Sequence, residues 1–172
     1  MGLSITAAGA VVLLVMLVVF SALCLATLQA LSIHVDALSV KSELEKSALT
    51  TAFRIDGASL SGKLLAFNLT NIGEGKLWRY PLCDVIVSYT VPNGNATLWI
   101  CEKLNYSSTL APGCWSIQTI YNDLRDPGIL NYEETAAIVA FLSRTPLQNS
   151  PITIVFSSDL GVTASYSFTP SR

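Results

Sequence analysis

The segment Asp84–Leu104, DVIVSYTVPNGNATLWICEKL, decides the fold of this chain. Two runs rich in Val, Ile, Thr, Tyr and Trp flank Asn93-Gly94. Asn-Gly between two such runs is the strongest short-range signal for a β-hairpin. The segment therefore predicts two antiparallel strands, at residues 84–91 and 97–104.

Further strand-like segments lie on both sides of this hairpin. Each alternates apolar and polar residues, and Gly, Pro, Asn and Asp separate one segment from the next. The predicted strands are 49–55, 64–70, 114–121, 135–142, 152–157 and 162–168. With the hairpin they make about eight short strands, and this number and spacing are typical of an all-β, immunoglobulin-like antiparallel β-sandwich.

The N-terminal part has a different pattern. Residues 1–35 carry no charged side chain, and Ala7–Ala26 is almost entirely apolar. About twenty apolar residues in an α-helix cross the ~30 Å hydrocarbon core of a bilayer. We predict a single transmembrane helix at 1–33, a helical stalk at 34–47 and an external β-sandwich domain at 48–172.

Three roles are open for this helix: an uncleaved anchor, a removable signal peptide, or the core of a filament of the type IV pilin kind. A signal peptide fits poorly, because the apolar run is long and no basic residue precedes it. Gly2 stands where a very short pilin-type leader would be cut, although the usual Lys or Arg before it is missing. Gly2 is therefore a candidate cleavage site, and both anchor and filament remain open.

The composition favours an exported domain. All 22 Asp, Glu, Lys and Arg residues lie in the 137 residues after Val35, about 16% against the roughly 25% usual for soluble proteins. A net charge of −2 argues against a nucleic-acid partner. Three N-glycosylation sequons begin at Asn68, Asn95 and Asn105, and these are candidate glycosylation sites.

Four cysteines limit the possible disulfides. Cys24 lies in the predicted membrane helix, whereas Cys83, Cys101 and Cys114 lie outside it. A two-residue turn at Asn-Gly places Ile86 opposite Cys101 and turns Cys83 to the other face, which argues against a bridge between those two. Cys101 and Cys114 bracket a loop of twelve residues and form the predicted disulfide in an oxidising compartment. The alternative is three reduced, buried cysteines.

The sequence offers no catalytic constellation. The single histidine, His34, stands at the predicted membrane boundary, so no Ser-His-Asp arrangement is available in the domain. Asp123, Asp126, Glu133 and Glu134 surround a Pro-Gly turn and fit turn formers better than a calcium site. We predict no catalytic residue, no metal and no cofactor. The three tryptophans are predicted to pack in the core, with an exposed aromatic recognition patch as the alternative.

Three short motifs carry a resemblance to a known family. They are Asn71-Ile72-Gly73 at the end of a strand, the run Asp84–Tyr89, and Asp126–Glu134 (DPGILNYEE) leading into an apolar strand. With the uncharged N-terminal helix, this order of motifs resembles the archaellum accessory proteins F and G (FlaF and FlaG), and F more than G. Archaellins and archaeal type IV pilins are similar in plan.

The resemblance implies a single-pass membrane protein of archaea whose β-sandwich lies outside the cytoplasm, in the pseudoperiplasm. The implied function is that of a stator element, which links the archaellum motor to the S-layer. The implied partners are the S-layer protein, other archaellum subunits (protein G, filament or motor) and further copies of the chain. The alternative is a polymerising archaellin-like or pilin-like subunit of an extracellular filament.

Overall fold

The computed structural model describes residues 2–94 and 96–170, with side chains from Gly9 onward. The chain forms two compact units, Met1–Leu44 and Glu45–Arg172. The first unit is helical, and the second contains the end of the helix and all the strands.

One long helix, α1, spans Gly2–Thr50. Its part from Gly9 to Thr50 is long and apolar enough to cross a membrane, with a mean hydropathy of 3.0 in its most apolar window. Hydroxyl groups on this helix bond to its own backbone, as when Ser21 Oγ donates to the Val18 carbonyl at 2.8 Å. Such bonds satisfy polar groups on a surface that is otherwise apolar.

The end of α1 corrects one predicted boundary. The strand predicted from residue 49 begins at Phe53, because the helix continues to Thr50. The hydroxyl groups of Thr50 and Thr51 donate to carbonyls one turn earlier in the helix, including that of Ser47 at 3.1 and 2.7 Å. The helix therefore includes Leu49 and Thr50, whose alternating pattern suggested a strand.

Eight strands follow, and seven of them lie within two residues of the predicted bounds at both ends. They are β1 Phe53–Ser61, β2 Leu64–Asn71, β3 Asp84–Asn93, β4 Ala96–Tyr106, β5 Cys114–Tyr121, β6 Thr135–Phe141, β7 Ile152–Ser157 and β8 Thr163–Phe168. A short 3₁₀ helix, Tyr80–Leu82, precedes β3. The predicted fold class, an immunoglobulin-like sandwich after one long apolar helix, is confirmed.

The strands form two layers around one core. Their order is β1-β2-β6-β5-β4-β3-β7-β8, so that β1, β2, β6 and β5 make one layer and β4, β3, β7 and β8 the other. Neighbours are antiparallel except β4 and β5, which are parallel where Asn105 pairs with Cys114 and Tyr106 with Trp115. The terminal strands β1 and β8 also contact each other, which encloses the core on the other side.

The hairpin at the centre of the sequence has a different register from the predicted one. Asn93 remains in β3 and pairs with Ala96, and Ser88, not Ile86, lies opposite Cys101. The turn therefore lies one residue later than predicted. Gly94 adopts the left-handed φ of 61° that such a turn favours.

Aromatic residues join the two layers. Trp115, Tyr89 and Phe156 are completely buried. The ring of Trp115 meets those of Phe156 and Tyr106 edge-on, at centroid distances of 6.3 and 4.9 Å. Such edge-to-face pairs add to the stabilisation from apolar burial. The predicted core role therefore holds for Trp115, whereas Trp78 and Trp99 are exposed.

Candidate functional site

Strand β4 leaves one side of its backbone open. On one side it pairs with β3 from Ala96 to Leu104, but on the other only Asn105 and Tyr106 pair, with β5. Among the described residues, no strand pairs with the second side of Ala96–Lys103. We call this side the β4 edge. An unpaired strand edge presents backbone donors and acceptors to any added strand.

The β4 edge is apolar as well as open. Leu98 is 43% exposed and Trp99 55%, although they point to opposite faces of the sheet, and Cys101 is exposed beside them. The first charged residues of the strand are Glu102 and Lys103, at its far end. Soluble proteins usually protect such an edge with charges, proline or a bulge. An unprotected apolar edge is instead typical of a surface that binds another protein.

A group of partly buried hydrogen bonds connects β4 to its neighbours. The hydroxyl group of Tyr89 on β3 donates to Oε1 of Glu102 on β4 at 3.1 Å, and the Ser143 backbone N–H donates to the same oxygen at 3.2 Å. Burial, and next the nearby charge of Glu102, raise the pKa of Tyr89 to about 12. These bonds connect β4 to β3 and to the segment after β6, next to the β4 edge.

The end of α1 is joined to the sheet by a second group of contacts. The strand β1 begins three residues after the helix ends, so only Thr51 and Ala52 link the two. The last carbonyls of a helix lack partners within it. Here the Thr50 carbonyl accepts from the Gly75 N–H at 3.2 Å, and the Ala48 carbonyl accepts from the Thr51 N–H at 3.2 Å.

The turn that makes these contacts is Asn71–Gly75, which we call the exit turn. The N–H groups of Ile72 and Gly73 both donate to the Ala52 carbonyl, at 2.9 and 3.1 Å. A Cβ atom on Gly73 would lie 2.3 Å from the Ala52 backbone nitrogen, so only glycine allows this approach. The Asn71-Ile72-Gly73 motif was noticed in the sequence, but its contact with the helix end was not predicted.

The predicted modification sites lie on different elements. Asn68 is exposed in the middle of β2, and Asn105 is exposed near the end of β4. Asn95 lies outside the described residues. Gly2 is the first residue of α1. Glycosylation at the asparagines and cleavage at Gly2 stay predictions.

The predicted Cys101–Cys114 disulfide is not formed, and both residues are free thiols. Cys114 pairs with Asn105, four residues further along β4 than Cys101. Four residues of strand extend about 13 Å, beyond the roughly 7 Å that a disulfide spans between Cα atoms.

Cys83 is buried and Cys101 is exposed, so these two cysteines lie on opposite faces, as predicted. Burial raises the pKa of the Cys83 thiol to about 11.

The acidic residues serve the turn rather than a common site. Asp126 pairs with Lys76, whose hydrogen bond lowers the pKa of that carboxyl group. Asp123 accepts the Gly128 N–H at 2.9 Å, and the buried Glu134 accepts from a neighbouring backbone N–H at 2.8 Å. Among the described residues, no group of three or more His, Cys, Asp and Glu side chains is placed to hold a metal ion.

Comparison with known proteins identifies the domain. The family described as "Conserved flagellar protein F, immunoglobulin-like domain" matches residues 49–167. A comparison with curated proteins finds no match.

Three solved structures share the fold. The "Archaellum periplasmic stator protein FlaG from Sulfolobus acidocaldarius" has 24% identity and a TM-score of 0.52, covering 69% of this chain and 99% of that one. The "Archaellum periplasmic stator protein complex FlaF and FlaG" from the same organism has 23% identity and a TM-score of 0.51, with coverages of 67% and 87%. "The archaeal flagellum of Methanospirillum hungatei strain JF1" has 14% identity and a TM-score of 0.57, with coverages of 95% and 92%.

At these identities the solved structures support the fold alone, whereas the family match covers 119 of the 172 residues. It includes every strand but the final residue of β8. The resemblance predicted from the three sequence motifs is thereby confirmed. The chain belongs to the family of conserved flagellar protein F, whose immunoglobulin-like domain it carries at residues 49–167.

Proposed function

We propose that this protein is a membrane-anchored stator element of the archaellum, which links the rotary motor to the S-layer. The observation that carries the proposal is the order of its parts: a helix that carries no charge up to Val35 and is long enough to cross a membrane leads directly into a flagellar protein F domain. A motor needs a stationary part held at two points. The helix supplies the point in the membrane, and the domain supplies the external one.

The proposed extent of the membrane segment follows from the charge distribution. The first charged residue is Asp36, and every Asp, Glu, Lys and Arg lies at or after it. We propose that residues 1–33 lie in the membrane, that 34–47 form a helical stalk, and that 48–172 form the domain in the pseudoperiplasm. This role is mechanical and requires no cofactor.

We assign the β4 edge to the S-layer protein. From Ala96 to Cys101 the edge carries no charge, so its contacts are backbone hydrogen bonds and apolar packing. An extended strand of the S-layer protein fits such an edge by β-augmentation, in which backbone bonds supply affinity and side-chain pockets supply specificity.

Protein G is a second proposed partner, because a similar structure is a FlaF and FlaG complex. Further copies of the chain are a third.

Co-sedimentation tests the proposal with the full-length protein in liposomes and isolated S-layer sheets. Trp99 and Trp78 are matched for this purpose, since each is 55% exposed and only Trp99 lies on β4. We expect Trp99→Lys to weaken binding about tenfold or more, as for an interface anchor, and Trp78→Lys to leave it unchanged. Equal binding by both variants would reject the β4 edge. No binding by the unaltered protein would reject the stator function.

A filament subunit is the second candidate. It is favoured by the fold shared with the Methanospirillum hungatei filament, which extends over 95% of this chain and so includes part of α1. The intact mass of the native protein separates the two functions. Loss of Met1-Gly2 together with fibre formation indicates a filament subunit, whereas an unprocessed N-terminus in the membrane fraction indicates an anchor.

A further inference from the structure

We propose that the exit turn, Asn71–Gly75, is a clamp that carries mechanical force and transfers a pull on α1 into the sheet. The inference rests on the proposed function in one respect, since a stator is loaded through its membrane helix. The clamp itself is a property of the unit Glu45–Arg172 and can be tested without the S-layer.

The clamp changes the strand at which force enters the sheet. Without it, a pull on the helix would reach the sheet at Phe53, the first residue of β1, which pairs with β2 alone in the sheet order. Force at the end of such a strand opens its hydrogen bonds one after another. With the clamp, Thr50 and Ala52 are held by three backbone N–H groups of the exit turn, so several bonds share the load.

The exit turn passes that load to an interior strand. Asn71 is the last residue of β2, which lies between β1 and β6. The N–H of Asn71 donates to the Glu134 carbonyl at 3.0 Å, and its own carbonyl accepts from the Glu133 N–H at 2.8 Å. The start of the clamp is therefore fixed on both sides, to β1 and to the segment that leads into β6.

The side chain of Asn71 braces the turn from within. It is completely buried, and its Nδ2 donates to the carbonyls of Gly75 at 2.6 Å and Leu130 at 3.1 Å. Its Oδ1 accepts from the Gly73 N–H at 3.1 Å. The side chain thus closes the turn across its two ends and ties it to the loop before β6. Without it, the turn can open while the sheet stays intact.

The second glycine locks the turn against the helix end. A Cβ atom on Gly75 would lie 2.3 Å from Oγ1 of Thr51. This same Oγ1 donates to the Ser47 carbonyl at 2.7 Å, in the last turn of α1. The exit turn and the helix end therefore interlock through one side-chain atom.

Single-molecule pulling on the full-length protein, with α1 in a tethered lipid nanodisc and a handle at the C-terminus, tests the clamp. In the first geometry, force enters through α1. In the second, it enters through a tag inserted at the exposed β1–β2 turn beside Gly62 and bypasses the exit turn.

We expect Asn71→Ala, which removes three hydrogen bonds, to shorten the lifetime of the folded domain under constant force about tenfold in the first geometry. In the second geometry we expect it to change that lifetime by less than about twofold. Asn105→Ala, at an exposed asparagine on β4, is the control for both.

Two results would overturn the clamp. Equal shortening in both geometries would show that Asn71 serves general stability, and no shortening in the first would show that the turn bears no load.

If Asn71→Ala does not fold, Gly75→Ala replaces it. The clamp then predicts a shorter lifetime in the first geometry, and partial recovery when Thr51→Ala removes the obstructing oxygen; failure to recover rejects the interlock. Binding to S-layer sheets is measured separately, so a failed clamp leaves the stator proposal standing.

Discussion

Replacing Tyr89 with phenylalanine removes one buried hydroxyl group from the support of the β4 edge. This hydroxyl donates to Oε1 of Glu102 at 3.1 Å and accepts a long bond of 3.4 Å from the Arg144 N–H. Glu102 keeps its bond from the Ser143 N–H in the variant. The substitution therefore breaks one hydrogen bond to a carboxylate and leaves that carboxylate partly satisfied.

The expected cost follows from that count. A hydrogen bond to a charged group contributes roughly 1.5–3 kcal/mol, and the long bond from Arg144 adds little. Tyr89→Phe should therefore lower the free energy of unfolding by about 2 kcal/mol, or Tm by roughly 6–10 °C for a domain of this size. Tyr132→Phe, at a side chain that is 55% exposed, should change it by less than about 0.5 kcal/mol.

The pH dependence adds a second signature. Burial raises the pKa of Tyr89 to about 12, whereas the unfolded chain releases this proton near pH 10. The stabilisation by the protonated hydroxyl is fully present below about pH 10 and is lost as the pH rises toward about 12. The difference between the unaltered protein and Tyr89→Phe should therefore shrink over that range.

Denaturant titration of the full-length protein in detergent measures both effects. The completely buried Trp115 is a natural fluorescence reporter of domain unfolding. Equal midpoints for the unaltered protein and Tyr89→Phe at pH 7 would refute the hydrogen-bond argument. A difference that stays constant between about pH 9 and pH 11 would refute the ionisation argument.

Three further predictions concern other parts of the domain. Gly73→Ala should lower the free energy of unfolding by about 3 kcal/mol, because the new methyl group would lie 2.3 Å from the Ala52 nitrogen; an unchanged melting temperature would show that the exit turn can shift. Hydrogen bonds from Arg54 and Thr70 hold the pKa of Asp56 below its usual range. The stabilisation from the ionised carboxylate is therefore present above about pH 4 and is lost as the pH falls through the lowered folded pKa, and in an acid titration Asp56→Asn should lose less stability than the unaltered protein. In native protein, Cys101 should react with maleimide within minutes while the buried Cys83 stays unlabelled, and equal labelling would contradict the assigned faces.

Much of the fold could be predicted from local pattern. The bounds of β5 and β7 agree with the prediction at both ends, because alternation and turn residues are properties of a few neighbouring residues. The start of β1 was missed for a similar reason. The alternating run that begins at Leu49 overlaps the last residues of α1, and contacts of the helix end with the exit turn are not visible in a local pattern.

The candidate site was predicted less well. The sequence indicated a hairpin and an exposed-aromatic alternative, but it did not show that Trp99 lies on an open strand edge. That fact depends on the position of β5, which meets β4 at Asn105 and Tyr106. The same stagger separates Cys101 from Cys114 and explains why the predicted disulfide is wrong in this structure.

The sequence by itself determined the two-part plan of this protein: an apolar N-terminal segment without charge up to Val35, eight strands and the motifs of the flagellar protein F family. These features depend on hydrophobic period, turn chemistry and composition, which act over short stretches of chain. Only the tertiary structure decided which strand edge is open, which cysteines can meet, and that Asn71–Gly75 grips the end of α1. Those features are contacts between segments far apart in sequence, and strand order and register position them.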